Sequence, residues 1–275
     1  MRRVLQPNEL MGHKPLIVIA TYNERENLPT LLERIAALVP SVDVLVIDDA
    51  SPDGTGELAD TLAVQNPSIH VLHRASKQGL SRALEAGFRW GLERGYEQLV
   101  NIDGDLSHNP ADIPLLLAKS EEADLVIGSR YLEGIRVINW PPRRLLLSMV
   151  AARYVRWITR MPVCDPTSGF RCFRASALAA TLSELLISRG YSFHIELAYK
   201  MWARGMKVVE TPIVFTDRLR GVTKLNYRII TEACWIPWRL LAWRMQRSEG
   251  RGQKAENGHG PLKTGSLPQE NAKNA

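Results

Sequence analysis

At 275 residues, with ordinary globular composition through about residue 246, the chain is long enough for one large domain or two small ones with an ample core. No uncharged apolar stretch of about 18 residues occurs, which excludes a simple membrane-spanning helix. The net charge of +6 is uneven: residues 1–128 hold 11 Lys and Arg against 19 Asp and Glu, net −8, and residues 129–275 hold 24 against 10, net +14.

An acidic half suits a metal and a neutral or metal-bound ligand. A basic half suits anions: phosphates, an anionic membrane surface or nucleic acid. The bland alternative is solubility charge plus a basic tail, but the tail supplies only a few of the excess positives. Met1-Arg2-Arg3 is not followed by a signal-length apolar run, so no secretory signal is expected. Cys164, Cys172 and Cys234 are odd in number and lack metal-site spacing, which fits a reduced, cytosolic chain. Residues 1–14 are expected to fray, residues 15–246 to form one domain, and residues 247–275, without apolar period, to be disordered.

In chain order, Leu16–Ala20 reads as a buried strand and Leu28–Val39 as a helix. A strand over Val42–Ile47, a helix over Thr55–Val64 and a strand over Ile69–Leu72 follow. Next come a helix over Leu80–Leu92, a strand over Leu99–Ile102, a helix over Asp112–Ser120 and a strand over Leu125–Ile127. Continuous apolar strands alternating with helices predict an α/β fold with a mostly parallel sheet covered on both faces. Ligands on such sheets bind beyond the carboxyl ends of the strands, where the unusual polar clusters all fall. In the second half, Arg143–Arg160 is amphipathic, with Leu146, Leu147, Val150, Tyr154 and Trp157 on one face and Arg153, Arg156 and Arg160 on the other. Phe170–Arg174 reads as a short strand, Val208–Phe215 as a longer one, and Arg228–Gln246 as a Trp- and Arg-rich helix kinked at Pro237. Such helices either lie in a membrane interface or pack on the sheet with Arg facing water.

The sharpest local signal is Asn101-Ile102-Asp103-Gly104-Asp105 at a strand end. Alternation puts Asp103 and Asp105 on one side, and the small residue between them admits a ligand close to the backbone. Two carboxylates there can hold a divalent cation, which can neutralise a diphosphate; a solvated turn is the plain alternative. In Asp48-Asp49, adjacent acids point to opposite sides, so only one faces a ligand. Asp49 suits a ribose or base, while Ser51 or Asp53 suits a helix cap. Tyr22 can pack on a nucleobase and Glu24 can hydrogen-bond one, while Asn23 and Glu26 form a plausible capping box. Gly128-Ser129-Arg130-Tyr131, Arg143-Arg144 and Asp217–Lys224 bring cations to loops, where Arg binds phosphate through a planar fork and Lys as a point charge. An acid pair at a strand end also suggests a phospho-receiver domain. There, however, the pair ends the first strand of a chain about half as long.

Taken in order, TYNERENL, VIDDASPDGT, KQGLSRAL, DGDLSHNP, GSRY, DPTSGFRCFR, YSFHIELAYK and DRLRGVTKL resemble the dolichol-phosphate mannosyltransferases, also called polyprenol monophosphomannose synthases. These are inverting family 2 glycosyltransferases with the Rossmann-like GT-A fold. The resemblance runs from about Leu16 to Leu225. Ala20 stands where that family usually has Pro, Gly104 where Ala is common, Asn109 where His is common and Thr223 where Ser is common. The resemblance implies a single GT-A domain, a donor and metal half over residues 15–131 and an acceptor and membrane-facing half over 132–246. It implies mannosyl transfer from GDP-mannose to a polyprenyl monophosphate, with Mg²⁺ or Mn²⁺ and no nucleic acid; a related enzyme using UDP-glucose or another nucleotide sugar is the alternative. By similarity, Asp103, Asp105 and Ser107 hold the metal. Ala20, Tyr22, Glu24, Ile47, Asp49, Asp103, Gly104 and Asp105 hold the donor, together with Arg130, Arg218 and Lys224 near the transferred group. Asp105, Arg130, Arg218 and Lys224 are the catalytic set, and Arg144 and Ser148 take the acceptor phosphate. His108, His194, Asp165 and Glu196 are expected to be structural or to orient the cations. The family's optional membrane anchor is missing, so peripheral attachment to the inner face of the cytoplasmic membrane is expected.

Overall fold

The computed structural model describes residues 15–188, 190, 192–217 and 227–256. Five apolar runs become parallel strands: β1 (Pro15–Thr21), β2 (Asp43–Asp48), β3 (Ile69–His73), β4 (Gln98–Asn101) and β5 (Leu125–Ser129). Between them run α1 (Leu28–Leu38), α2 (Thr55–Gln65), α3 (Leu80–Glu93) and α4 (Ile113–Ser120). The second half adds β6 (Val137–Ile138), α5 (Pro142–Thr159), β7 (Arg171–Arg174), α6 (Ala175–Leu182), α7 (Ser192–Ala203), β8 (Val208–Pro212), β9 (Phe215–Thr216) and α8 (Tyr227–Glu256).

The main sheet has seven strands in the order β3-β2-β1-β4-β7-β5-β8, and β7 alone runs antiparallel to its neighbours. Alternation along β1 splits the core: Leu16 and Val18 join one apolar cluster with α3, α6 and α7, while Ile17 and Ile19 join another with α1 and α4. Both faces are therefore covered, as continuous apolar strands require. α3 lies unusually close to the sheet through two glycines. A Cβ at Gly91 would stand 2.7 Å from Leu16 Cδ2 and 2.8 Å from Leu99 Cδ2. Gly91→Val is thus expected to lower stability by about 1–3 kcal/mol through overpacking. Urea melts check this, and an unchanged midpoint would mean that the helix can move off the sheet at little cost.

Several expectations need correction. The strand expected over Val208–Phe215 is two strands, because Pro212 offers no N–H to continue the ladder; β9 then pairs with β6 in a separate two-stranded sheet. The capping box at Asn23 and Glu26 does not form. Asn23 sits at φ 58°, the N-cap is Asn27 without a side-chain bond, and Glu24 accepts from Asn27 Nδ2 at 2.9 Å. Ser51 accepts from the Asn23 N–H rather than capping α2, while Asp53 accepts from the N–H of Thr55. α8 continues ten residues past the expected boundary at 246, to Glu256, since extending an existing helix costs far less than starting one. The remaining terminal residues, 1–14 and 257–275, lie outside the described residues.

The apolar stripe of α5 faces outward. Leu146, Val150 and Trp157 are 64%, 56% and 74% exposed, while Ala152, Val155, Ile158 and Thr159 form the buried side. α8 packs against it: the Tyr154 hydroxyl donates to the Cys234 carbonyl and accepts from Trp238 Nε1. Among the described residues, no helix is long and apolar enough to cross a membrane.

Candidate active site

The carboxyl ends of β1, β2 and β4 converge on a cleft of about 120 Å³. Three non-glycine residues there take left-handed backbone: Asn23, Ala50 and Leu106, at φ 58°, 57° and 62°. Each follows one of the strand ends that border the cleft, and Glu133, Asn139 and Arg160 take the same conformation elsewhere. The cleft gathers Ala20, Tyr22, Glu24 and Asp49 from the first two strand ends, with Asp103, Gly104 and Asp105 from the third. Lys77, Gly79, Leu80 and Ala83 complete it from the loop and first turn of α3.

Ile47 lies outside the cleft. Its side chain is fully buried in the core, and its carbonyl accepts the Thr21 hydroxyl at 3.1 Å. Of the adjacent acids, Asp49 faces the cleft and Asp48 turns under α2, where its Oδ2 accepts from the Ser51 N–H. The Asp49 carboxylate already holds Arg74 Nη1 and the N–H groups of Gln78 and Gly79, the last at 2.9 Å. It builds the loop after β3 as well as lining the cleft.

Asp105 is 4% exposed, and its Oδ1 accepts from the Ser107 N–H at 3.1 Å and from Ser107 Oγ at 2.5 Å. Ser107 therefore braces Asp105, its hydroxyl proton committed to that carboxylate. Asp103 is more open. Its N–H donates to His108 Nδ1 at 3.3 Å, which requires that nitrogen to be unprotonated. Burial lowers the His108 pKa even though Asp103 opposes this, so the 3.7 Å approach of Nδ1 to Asp103 Oδ2 is not an ion pair at neutral pH. His194 is likewise buried, and burial together with Arg171 lowers its pKa well below the ordinary value.

The chemistry of the carboxylate pair fits a metal. Asp103 and Asp105 present oxygen donors to the same cleft, as hard divalent cations require. Among the described residues, no group of three or more His, Cys, Asp or Glu forms a cage. A pair of carboxylates on one cleft suits a cation such as Mg²⁺, which takes one or two carboxylates and completes its shell with waters and phosphate oxygens.

Arg130, just past β5, is 7% exposed and gripped by Asp165. Nε and Nη2 donate to the two carboxylate oxygens at 2.6 and 2.7 Å, the backbone N–H donates at 3.0 Å, and Nη2 also reaches Thr167 Oγ1. Burial opposes the Arg130 charge, but Asp165 more than restores it, and Asp103 adds to the effect. Arg171 is fully buried and donates to the carbonyls of Pro166, Ser168 and His194. Burial pushes it down to about 9, which leaves it protonated at neutral pH while it ties the 165–168 loop to α7.

On α5, Arg144 pairs with Asp217 at 2.7 Å, and Ser148 Oγ accepts the Tyr131 hydroxyl at 2.7 Å. These contacts join the start of α5 to the loop after β5 and to the residue that precedes Arg218. Arg218 and Lys224 themselves lie outside the described residues. Glu196 forms a fully buried pair with Lys200 at 2.7 Å and accepts the N–H groups of Ile187 and Ser188, which is structural work. Sequence reasoning missed Arg74 and Lys77. The only signal was a pair of cations in a short loop between a strand and a glycine-started helix.

Residues 16–182 match glycosyl transferase family 2. The chain is 47% identical over 218 residues to an undecaprenyl-phosphate mannosyltransferase of Micrococcus luteus, covering 79% of this chain and 90% of that one. It is 46% identical over 241 residues to a polyprenol monophosphomannose synthase of Mycolicibacterium smegmatis, covering 86% and 91%. Among solved structures, glucosyl-3-phosphoglycerate synthase from Mycobacterium tuberculosis, in complex with Mn²⁺, UDP and phosphoglyceric acid, superposes with a TM-score of 0.64. It shares 17% identity, with 89% of this chain and 84% of that one covered, and this likeness concerns the fold alone.

Proposed function

The chain belongs to glycosyl transferase family 2 and is a glycosyltransferase, and from that premise we propose that it transfers a mannosyl group from GDP-mannose to a polyprenyl monophosphate. The observation that carries the reading is the cleft in which Tyr22, Glu24, Asp103 and Asp105 meet at the strand ends, in a chain nearly half identical to an undecaprenyl-phosphate mannosyltransferase and a polyprenol monophosphomannose synthase. Asp103 and Asp105 would hold Mg²⁺ or Mn²⁺, which on binding would neutralise the diphosphate leaving group as the sugar–phosphate bond breaks.

An oxygen of the acceptor phosphate attacks the anomeric carbon as the bond to GDP breaks, with inversion. A phosphate monoester has its second pKa near 6, so the nucleophile is already anionic and needs little help from a base. Arg130, held rigid by Asp165, presents its guanidinium at the end of β5. Arg144 and Ser148 are assigned to the acceptor phosphate, and Arg218 and Lys224 to phosphates near the transfer point. Incubation with radiolabelled GDP-mannose or UDP-glucose and a polyprenyl phosphate, followed by organic extraction, tests the reading. Label in the lipid phase from GDP-mannose is expected. Label only from UDP-glucose would replace the donor, and none from either would remove the activity.

The acceptor lipid stays in a bilayer, so the enzyme must reach a membrane surface, here the inner face of the cytoplasmic membrane. The outward side of α5 supports peripheral docking. Leu146, Leu147 and Val150 begin within about 9 Å of Arg144 along the helix axis, and Arg153 and Arg156 are exposed beside Trp157. Trp235 and Trp238 of α8 are 70% and 51% exposed. Trp243 faces inward instead, against Tyr199 and Arg204. Basic residues near anionic lipid contribute about 1 kcal/mol each, and Trp favours the interface. Co-sedimentation with anionic liposomes is expected at low salt, weaker at high salt, and reduced by Trp157→Ala with Trp235→Ala. Wild-type protein that stays in the supernatant at low salt would mean that attachment needs a partner.

A further inference from the structure

The loop after β3 carries an exposed cation into the cleft. Lys77 Nζ stands 3.5 Å from the centroid of the Tyr22 ring, and both side chains line the cleft. The backbone beneath Lys77 is fixed, because Asp49 holds the N–H groups of Gln78 and Gly79 and the guanidinium of Arg74. The side chain above it is exposed and has four methylenes with which to swing. A base that stacks on Tyr22 must displace the ammonium from the ring face, yet the fixed backbone keeps Nζ near the edge of that base.

We propose that Lys77 is a specificity-determining residue: it covers the Tyr22 ring and, once displaced by a stacking base, selects a purine with a 6-oxo group. This rests on the nucleotide reading of the cleft. An ammonium has three donors and no acceptor. It can donate to O6 and N7 of guanine, whereas adenine turns an amino group toward it at the same position. Glu24, lining the same cleft, offers a carboxylate suited to the N1–H and 2-amino group of guanine. Cation above and carboxylate beside the ring complement the edge of guanine and not that of adenine. Neither Lys77 nor the loop bearing it was assigned a role by its motif alone.

The test is calorimetric binding of GDP, IDP and ADP, each with Mg²⁺, to the full chain and to its Lys77→Met and Lys77→Arg variants. Wild-type protein is expected to prefer GDP and IDP to ADP. Lys77→Met should weaken GDP and IDP about 10- to 100-fold, the effect of losing one charge-assisted hydrogen bond. ADP should change little, and Lys77→Arg should keep most of the preference. Equal weakening of all three nucleotides by Lys77→Met would overturn the proposal, because the lysine would then serve the diphosphate or the loop rather than the base. Unchanged GDP affinity would overturn it as well. If wild-type protein binds none of the three, the nucleotide reading of the cleft fails first, and the role of Lys77 fails with it.

Discussion

Asp105→Asn is expected to cut transfer at least about a hundredfold while leaving the folded state close to wild type. The geometry explains why these effects should separate. Asp105 is nearly buried, so a truncation to Ala would strand the Ser107 N–H and hydroxyl that donate to its Oδ1. An Asn amide oxygen at the same place still accepts both. What the variant loses is negative charge, which is the property needed to hold a cation against a diphosphate. Initial rates across a Mn²⁺ titration, with a thermal melt of the same preparation, check this. Near-normal transfer that EDTA does not inhibit would sink the metal assignment. A large fall in melting temperature would instead show that the carboxylate is needed for the turn.

The first half of the chain was legible because its physics is local. The inner parallel strands of this half, β1, β2 and β4, are apolar runs, β3 at the sheet edge is interrupted by His70, and ligands to such a sheet gather at the strand ends. Seven of the residues expected around the donor line one cleft on that account. The second half was harder to read. α6 and α7 were not anticipated: Ser192–Met201 is buried on every side, including Glu196 and Lys200, so it shows no amphipathic period. The antiparallel β7, inserted between β4 and β5, is a tertiary choice that its four residues do not announce. The apolar residues of the α5 stripe do share a face, but Arg153, Arg156 and Arg160, expected opposite it, are exposed alongside it, because the side away from solvent is the one through Ala152, Val155 and Ile158. Periodicity does not say which face meets the core. Val155 and Ile158 supply the inward side, and the richer apolar row is left outside. Lys77 escaped notice because its partner is a ring 55 positions earlier, brought near only by the Asp49 anchor.

Asp165→Asn is expected to cost about 3–5 kcal/mol of stability at pH 7, since it leaves the Arg130 guanidinium buried without its carboxylate. The penalty should shrink on acidification. Burial alone would raise the Asp165 pKa, but the charge and hydrogen bonds of Arg130 hold it below the ordinary value. A carboxyl depressed in the folded state contributes its full stabilisation above the unfolded value, near 3.9, and loses it as pH falls through the folded value. Wild type should therefore lose stability below about pH 4 more steeply than the variant does, and the two curves should converge. His108 and His194, both buried and both lowered by burial, favour the neutral form in the folded state. They add acid sensitivity below about pH 6.5, and the Asn variant has more of it, because the Asp165 charge raises the His108 pKa and its loss lets burial lower that pKa further. The carboxylate's own effect is therefore read from the change in the gap below about pH 4. Urea melts from pH 7 to pH 3 measure it. A gap that stays constant over that range would mean that Asp165 stabilises the fold through shape and hydrogen bonding rather than charge. Transfer by the variant should fall as well, because Arg130 would keep its charge but lose the two-point grip that aims it. Arg130→Lys, which keeps the charge without the fork, should then be similarly impaired.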